Sequence, residues 1–141
     1  MSAELHKQFT PYVAKKNEEY MNTRQLAHFR KILEDWKGEL SQDIDRTVHT
    51  MQDEATIFAD PNDRATIEEE NSIELRIRDR ERKMLPRVDA ALRRIDEGRF
   101  GFCEETGDPI GLRRLLARPT TVYSIEAQER HERRERVYRD D

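Results

Sequence analysis

Two apolar stripes of helical spacing, separated by one short turn-forming run, constrain this chain more than any other feature. Leu26, Phe29, Leu33, Trp36 and Leu40 alternate spacings of three and four, and Ile44, Thr47 or Val48, Met51 and Ala55 extend the series. That period keeps one residue per turn on a single helix face and predicts a coiled-coil arm over about 23–58, with Asn22 suited as its N-cap. Gly38 interrupts the arm at a cost of about 1 kcal/mol relative to alanine, which the periodicity outweighs. The run Phe58-Ala59-Asp60-Pro61-Asn62-Asp63-Arg64 then reverses the chain: Asp opens a turn, Pro fixes φ, and Asn-Asp follows.

A second helix restarts near Ala65, with Glu68, Glu69 and Glu70 in its first turns, where negative charge favours the positive end of the helix dipole. Ile73, Ile77, Met84, Val88, Ala91 or Leu92, and Ile95 predict its apolar face, and Gly98 is a fitting stop. The register weakens between Ile77 and Met84, where Arg78, Arg80, Arg82 and Lys83 crowd with Asp79 and Glu81. A solvated face of intrahelical ion pairs accounts for that stretch. Pro86 removes one backbone donor and predicts a kink near Arg82. Two arms of about 35 residues at 1.5 Å rise would hold the tip, 59–64, roughly 50 Å from the arm bases. Asp60 and Asp63 are then carboxylates at the end of a long probe.

Composition supports an extended molecule over a single compact globule. Of 141 residues, 35% are hydrophobic and 40% charged, too polar for one large core. The net charge of −4 is small and both signs are interspersed, so non-specific attraction to nucleic acid is not the expected driver of function. No run of apolar residues approaches a membrane span, and the first residues lack a basic-then-apolar signal pattern, which predicts a cytoplasmic protein. Cys103 is the single cysteine; it excludes an intrachain disulfide framework and a zinc site built only from thiolates. No catalytic dyad, nucleophile or cofactor loop is present, so an enzyme is not expected.

The flanking segments read differently. Residues 1–22 mix Leu5, Phe9, Tyr12 and Val13 with Pro11 and Lys15-Lys16, predicting irregular chain or a short helix. From residue 98 to 141, Phe100-Gly101-Phe102, Thr106-Gly107-Asp108-Pro109 and Ile110-Gly111-Leu112 predict short turns or strands around a small core with Leu115, Leu116 and Val122. Ser124 is a candidate N-cap for a charged last helix over Glu126 to Tyr138. The fold class is therefore mainly α: a long antiparallel coiled-coil hairpin over 23–97, a small globular module and a C-terminal helix.

Several ordered segments carry a resemblance. Glu19-Tyr20-Met21-Asn22, Gln25-Leu26-Ala27-His28-Phe29-Arg30, Asp45-Arg46-Thr47-Val48, Met51-Gln52-Asp53-Glu54-Ala55, Asp60-Pro61-Asn62-Asp63-Arg64-Ala65 and Arg78-Asp79-Arg80-Glu81-Arg82-Lys83 resemble the DksA/TraR family of bacterial RNA polymerase secondary-channel factors. Phe100-Gly101-Phe102-Cys103-Glu104, Ile110-Gly111-Leu112-Arg113-Arg114-Leu115 and Ala117-Arg118-Pro119-Thr120 continue it, so that it covers about residues 18 to 135. The resemblance implies a factor whose coiled coil enters the polymerase channel and brings its tip near the catalytic centre without sequence-specific DNA contact. In that family two tip aspartates and a following alanine carry activity, and the matching positions are Asp60, Asp63 and Ala65. Carboxylates on a narrow probe can approach the active-site magnesium or the basic residues that grip nucleic acid.

The family's zinc module has a C-x2-C-x17-C-x2-C frame suited to tetrahedral thiolate coordination. Here the frame holds Cys103, Thr106, Ser124 and Ala127, and one thiolate is not a site even with His131 nearby in sequence. The resemblance therefore implies a zinc-independent member, its degenerate finger held by burial of Phe100, Phe102, Ile110, Leu115 and Ile125, with Cys103 a small, half-buried side chain. The family also binds ppGpp between factor and polymerase, at positions matching Met84, Arg87, Arg118 and Gln128. Arg87 stands for a lysine and keeps its charge, whereas Gln128 stands for a lysine and loses it, which implies a weakened response.

The expected function is a monomeric transcription regulator that, with ppGpp as effector and no other cofactor, destabilises promoter open complexes. Ribosomal RNA promoters would be repressed and amino-acid biosynthesis promoters favoured. A Gre-type transcript-cleavage factor, whose tip acids help hold a second magnesium, and a passive coiled-coil scaffold are the rival readings.

Overall fold

The computed structural model describes residues 7–57 and 61–140, and the side chains of these except 51–57, 61–64, 67, 139 and 140. Four helices follow in order: α1 (Thr23–Ile57), α2 (Pro61–Asp96), α3 (Leu112–Ala117) and α4 (Ile125–Asp140). No strand forms among the described residues; Phe102 and Pro109 make one isolated antiparallel bridge. None of these helices is long and apolar enough to cross a membrane. The architecture is the mainly helical one expected, with α1 and α2 as the arms of an antiparallel hairpin.

Both arms have legible beginnings. The side chain of Asn22 accepts from the backbone N–H of Gln25 at 2.8 Å, while the Gln25 side chain accepts from the Met21 N–H at 2.7 Å. This reciprocal capping satisfies two amides at the start of α1. The second helix starts at Pro61, earlier than Ala65, because the fixed φ and missing N–H of proline suit the first helical position. Asn62, Asp63 and Arg64 are thus first-turn backbone and not loop. The helix runs on through Pro86, which lies on an exposed face together with Arg82; water can satisfy the Arg82 carbonyl that proline leaves without a donor.

The chain divides into two compact units. Among the described residues, one comprises Lys7, 34–57 and 61–89, the other 8–33 and 90–140. In the first, Trp36, Leu40, Met84 and Val88 are buried. Lys37 pairs with Asp89 at 2.7 Å, and Thr47 bonds Arg78 at 2.6 Å, so that advance along α1 is retreat along α2. The predicted apolar stripe does not persist toward the turn. Val48, Ile73, Leu75 and Ile77 are all more than 40% exposed, and in their place the inward positions are polar: Thr47 and Glu81 are each 7% exposed. Arg78 sits between them, so the charged stretch on α2 is in part a cross-arm layer and not only a solvated face.

In the second unit Phe29, Leu33, Ala91, Ile95, Phe100, Cys103, Ile110, Leu115 and Ala127 are buried. The rings of Phe29 and Phe100 lie 5.3 Å apart, which anchors the module to the helix start. Four of the expected module core residues are not core: Phe102, Leu116 and Val122 are only partly buried and Ile125 is 55% exposed. Ile125 opens α4 on its outer side, and the buried residue of that first turn is Ala127. Residues 8–22 are irregular chain with turns. Tyr12 packs edge-on to His28, whose ring nitrogen lies 2.9 Å from the Thr10 carbonyl.

Candidate functional site

Asp60 lies outside the described residues. Asp63 falls in the first turn of α2, and Ala65, a little further along, is exposed. The sequence places these positions at the junction of the two arms, where the first amides of α2 have no intrahelical acceptors.

The four candidate effector residues fall in both units. Met84 and Arg87 lie in the first, one turn apart on α2; Met84 is 6% exposed and belongs to the hairpin core, whereas Arg87 is exposed. Arg118 and Gln128 lie in the second. Arg118 is the exposed residue at the C-terminus of α3, its N–H bonded to the Arg114 carbonyl. Gln128 is in the first turn of α4, half-buried, with its amide donating to Glu132 at 3.3 Å. Two exposed guanidiniums are suited to phosphate oxygens. Met84 offers only apolar contact, and its burial means that truncating it would alter the hairpin itself.

The degenerate finger frame does converge. Residues 103–107 form a tight turn, with the Gly107 N–H donating to the Cys103 carbonyl at 2.9 Å and the Cys103 N–H donating to the Asp108 carbonyl at 2.8 Å. Gly107 has φ +78°, a conformation glycine adopts without penalty. The Glu104 N–H donates to the Val122 carbonyl at 2.9 Å and so brings the second half of the frame alongside. Burial pushes the Cys103 thiol up, but hydrogen bonds from the Thr106 hydroxyl and from the backbone N–H groups of Ser124, Thr106 and Glu105 outweigh it and bring the pKa down to about 6. The thiolate thus has a cage of O–H and N–H donors.

A tetrahedral metal does not fit this donor set. Thr106 and Ser124 carry hydroxyls that are already engaged: Thr106 Oγ1 accepts from the Asp108 N–H at 3.2 Å, and Ser124 Oγ caps α4 by accepting from the Ala127 N–H at 3.3 Å. Ala127 has no donor atom. His131 stacks on Tyr123 with ring centroids 4.4 Å apart and turns its Nε2 to Glu105 at 3.1 Å, not to Cys103. Among the described residues no group of three or more His, Cys, Asp or Glu could hold a metal ion.

Sequence reasoning did not single out Tyr20. Its hydroxyl donates to the Gly101 carbonyl at 2.6 Å and accepts from the Gly111 N–H at 2.9 Å, joining two turns of the module that lie ten residues apart in sequence. Its ring meets Phe102 edge-on at 5.5 Å. Thr47, the alternative to Val48 in the predicted α1 stripe, is the one buried, but the polar layer it forms with Arg78 and Glu81 was missed. Its available signal was the break in apolar register between Ile77 and Met84.

Residues 25–95 match the pattern described as DnaK suppressor protein DksA, N-terminal domain, and residues 98–133 match the prokaryotic dksA/traR C4-type zinc finger. The chain is 52% identical over 130 residues to the RNA polymerase-binding transcription factor DksA of Caulobacter vibrioides, covering 92% of each chain. To the protein of the same name from Escherichia coli it is 52% identical over 126 residues, covering 89% of this chain and 83% of the relative. The solved structure of transcription factor DksA2 from Pseudomonas aeruginosa aligns with a TM-score of 0.75 at 42% identity, covering 85% of this chain and 94% of that one.

Proposed function

Because the chain belongs to the DksA/TraR family, we propose that it is a transcription regulator that binds RNA polymerase and reaches through the secondary channel with its helical hairpin. Asp60, Asp63 and Ala65 are the tip residues that act near the polymerase catalytic centre. With ppGpp held between Met84, Arg87, Arg118, Gln128 and polymerase, the factor destabilises open complexes. Ribosomal RNA promoters are repressed and amino-acid biosynthesis promoters favoured. The effect is a shift in the populations of polymerase conformations and not a reaction catalysed by this chain. It operates in the cytoplasm as a monomer, needs no zinc and makes no sequence-specific contact with DNA.

The observation that carries this reading is the pair of antiparallel arms, 35 and 36 residues long, the second opening at Pro61 with Asp63 in its first turn, in a chain 52% identical to RNA polymerase-binding relatives. Support for zinc independence comes from the engaged hydroxyls of Thr106 and Ser124 and the methyl of Ala127 at three of the four frame positions. The loss of charge at Gln128 supports a weaker ppGpp response than a lysine there would give.

The test is transcription in vitro from a ribosomal RNA promoter with purified polymerase, with and without ppGpp, comparing the parent protein with Asp63→Ala after chelation. The expected result is inhibition that survives chelation, grows with ppGpp and disappears in the variant. Transcript cleavage in stalled complexes would instead favour a Gre-type factor, and full activity of the variant a scaffold.

A further inference from the structure

We infer that Arg78 is a positioning residue: its guanidinium clasps the two arms of the hairpin and fixes the register in which they reach their turn. The inference rests on the reading of the hairpin as the part presented to polymerase, and it adds a residue to that reading far from the turn in sequence.

The geometry is that of a fork used on several sides. Arg78 Nε donates across to Thr47 Oγ1 on α1 at 2.6 Å, one terminal nitrogen pairs with Glu74 Oε1 at 2.9 Å, and the other donates to Glu81 Oε1. Asp43 on α1 stands 4.0 Å from that last nitrogen, and Thr47 Oγ1 lies 3.4 Å from Glu74 Oε1. The groups facing the guanidinium are therefore Asp43 and Thr47 from α1 and Glu74 and Glu81 from α2. One cation serves three carboxylates and a hydroxyl.

Position along the arms makes this layer decisive. Thr47 and Glu81 are the buried residues nearest the turn among those described; residues 48–50 and the described residues from 65 to 77 are exposed or half-buried. An apolar seam tolerates sliding because hydrophobic contact is non-directional, whereas the clasp is directional. Shifting α2 by one turn would carry the guanidinium away from Thr47 and Asp43. The arrangement carries a cost, since Glu81 Oε2 is buried without a hydrogen-bond partner. A single polar group retained at a helix seam despite its cost is best known as a register device. Lysine should not replace this arginine, because its three donors share one nitrogen on a flexible stem, whereas Thr47, Glu74 and Glu81 are each met by a different nitrogen of a rigid planar fork.

The experiment uses the full chain and three variants, Arg78→Lys, Arg78→Met and Glu81→Gln, read by amide hydrogen exchange, by competition binding to purified RNA polymerase and by inhibition at saturating factor. For both Arg78 variants, protection across 41–50 and 68–81 should fall about tenfold while protection across 100–116 stays within about twofold. Inhibition at saturation should fall at least about threefold with polymerase affinity changed by less than about threefold, and Glu81→Gln, which keeps an acceptor, should resemble the parent. Arg78→Lys behaving as the parent would overturn the inference, as would loss of affinity in proportion to inhibition. A parent that neither binds nor inhibits overturns the reading of function instead, and the exchange data then still decide whether the clasp exists.

Discussion

The hydroxyl of Tyr20 donates to the carbonyl of Gly101 across 81 positions of sequence, at 2.6 Å. The same oxygen accepts from the Gly111 N–H at 2.9 Å, so one phenol holds two glycine turns of a module that lacks the ligands for a metal staple. Tyr20→Phe leaves the Gly111 N–H without its acceptor and the Gly101 carbonyl with only the bond from the Ile110 N–H, in a half-buried site, and should destabilise the second unit by about 1–3 kcal/mol. Gly101→Ala should cost at least as much. Its φ is +91°, and an added Cβ would lie 2.6 Å from Met21 Cγ. Chemical denaturation followed by amide hydrogen exchange across 100–116 and by far-ultraviolet circular dichroism reads both; an unchanged transition in Tyr20→Phe would show that the clamp adds nothing.

The hairpin should respond unevenly to truncation of its apolar residues. Trp36 is 2% exposed, and Trp36→Ala should cost about 3–5 kcal/mol. Ile73 is 54% exposed, and Ile73→Ser should stay within about 0.5 kcal/mol of the parent. Gly38→Ala should stabilise by about 1 kcal/mol, since the position is helical and an added Cβ meets nothing within 4 Å. Comparable losses from Trp36→Ala and Ile73→Ser, measured as shifts in helical content with temperature, would contradict the burial pattern.

That unevenness also marks what the sequence could and could not reveal. Periodicity located the arms, and Asn22 and Ser124 announced their helices because a cap is a local interaction between neighbours. It overreached at Ile73 and Ile77, because period shows which residues share a face but not whether a partner helix still covers that face. Thr47 and Glu81, polar by composition, are buried there instead, through a guanidinium supplied by Arg78. The convergence of Cys103, Thr106 and Ser124 was legible only through the family frame. The Tyr20 clamp links positions too far apart for any local signal.

Chelation should leave the second unit unchanged, and metal binding should be recoverable by substitution. With one thiolate and two engaged hydroxyls in the frame, incubation with a chelator should not shift the thermal transition. Thr106→Cys, Ser124→Cys and Ala127→Cys together would supply four thiolates around a turn already formed at 103–107 and should confer one-to-one binding of cobalt with tetrahedral thiolate absorption. Ser124→Cys alone should lower stability by about 1 kcal/mol, because thiol sulfur is a poorer N-cap than a hydroxyl. A chelator-induced loss of structure in the parent would show that the donor set has been misjudged.

The Cys103 thiol makes the stability of its module depend on pH. Its pKa is held down to about 6, from an unperturbed 9.0, by the Thr106 hydroxyl and the surrounding N–H donors working against burial. The fold therefore favours the thiolate, and the folded state binds fewer protons than the unfolded state between these values. By linkage the stabilisation is fully present above about pH 9 and is lost as pH falls toward 6. The denaturation midpoint should decline across that window in the parent. Cys103→Ser replaces the titrating thiol with a hydroxyl that stays neutral, and its midpoint should be lower at high pH and flatter across the window. Thr106→Val, which removes one donor, should move the decline to higher pH, and ultraviolet thiolate absorbance should track the same shift. Parallel pH profiles for the parent and Cys103→Ser would assign the slope to other groups and leave Cys103 as inert packing.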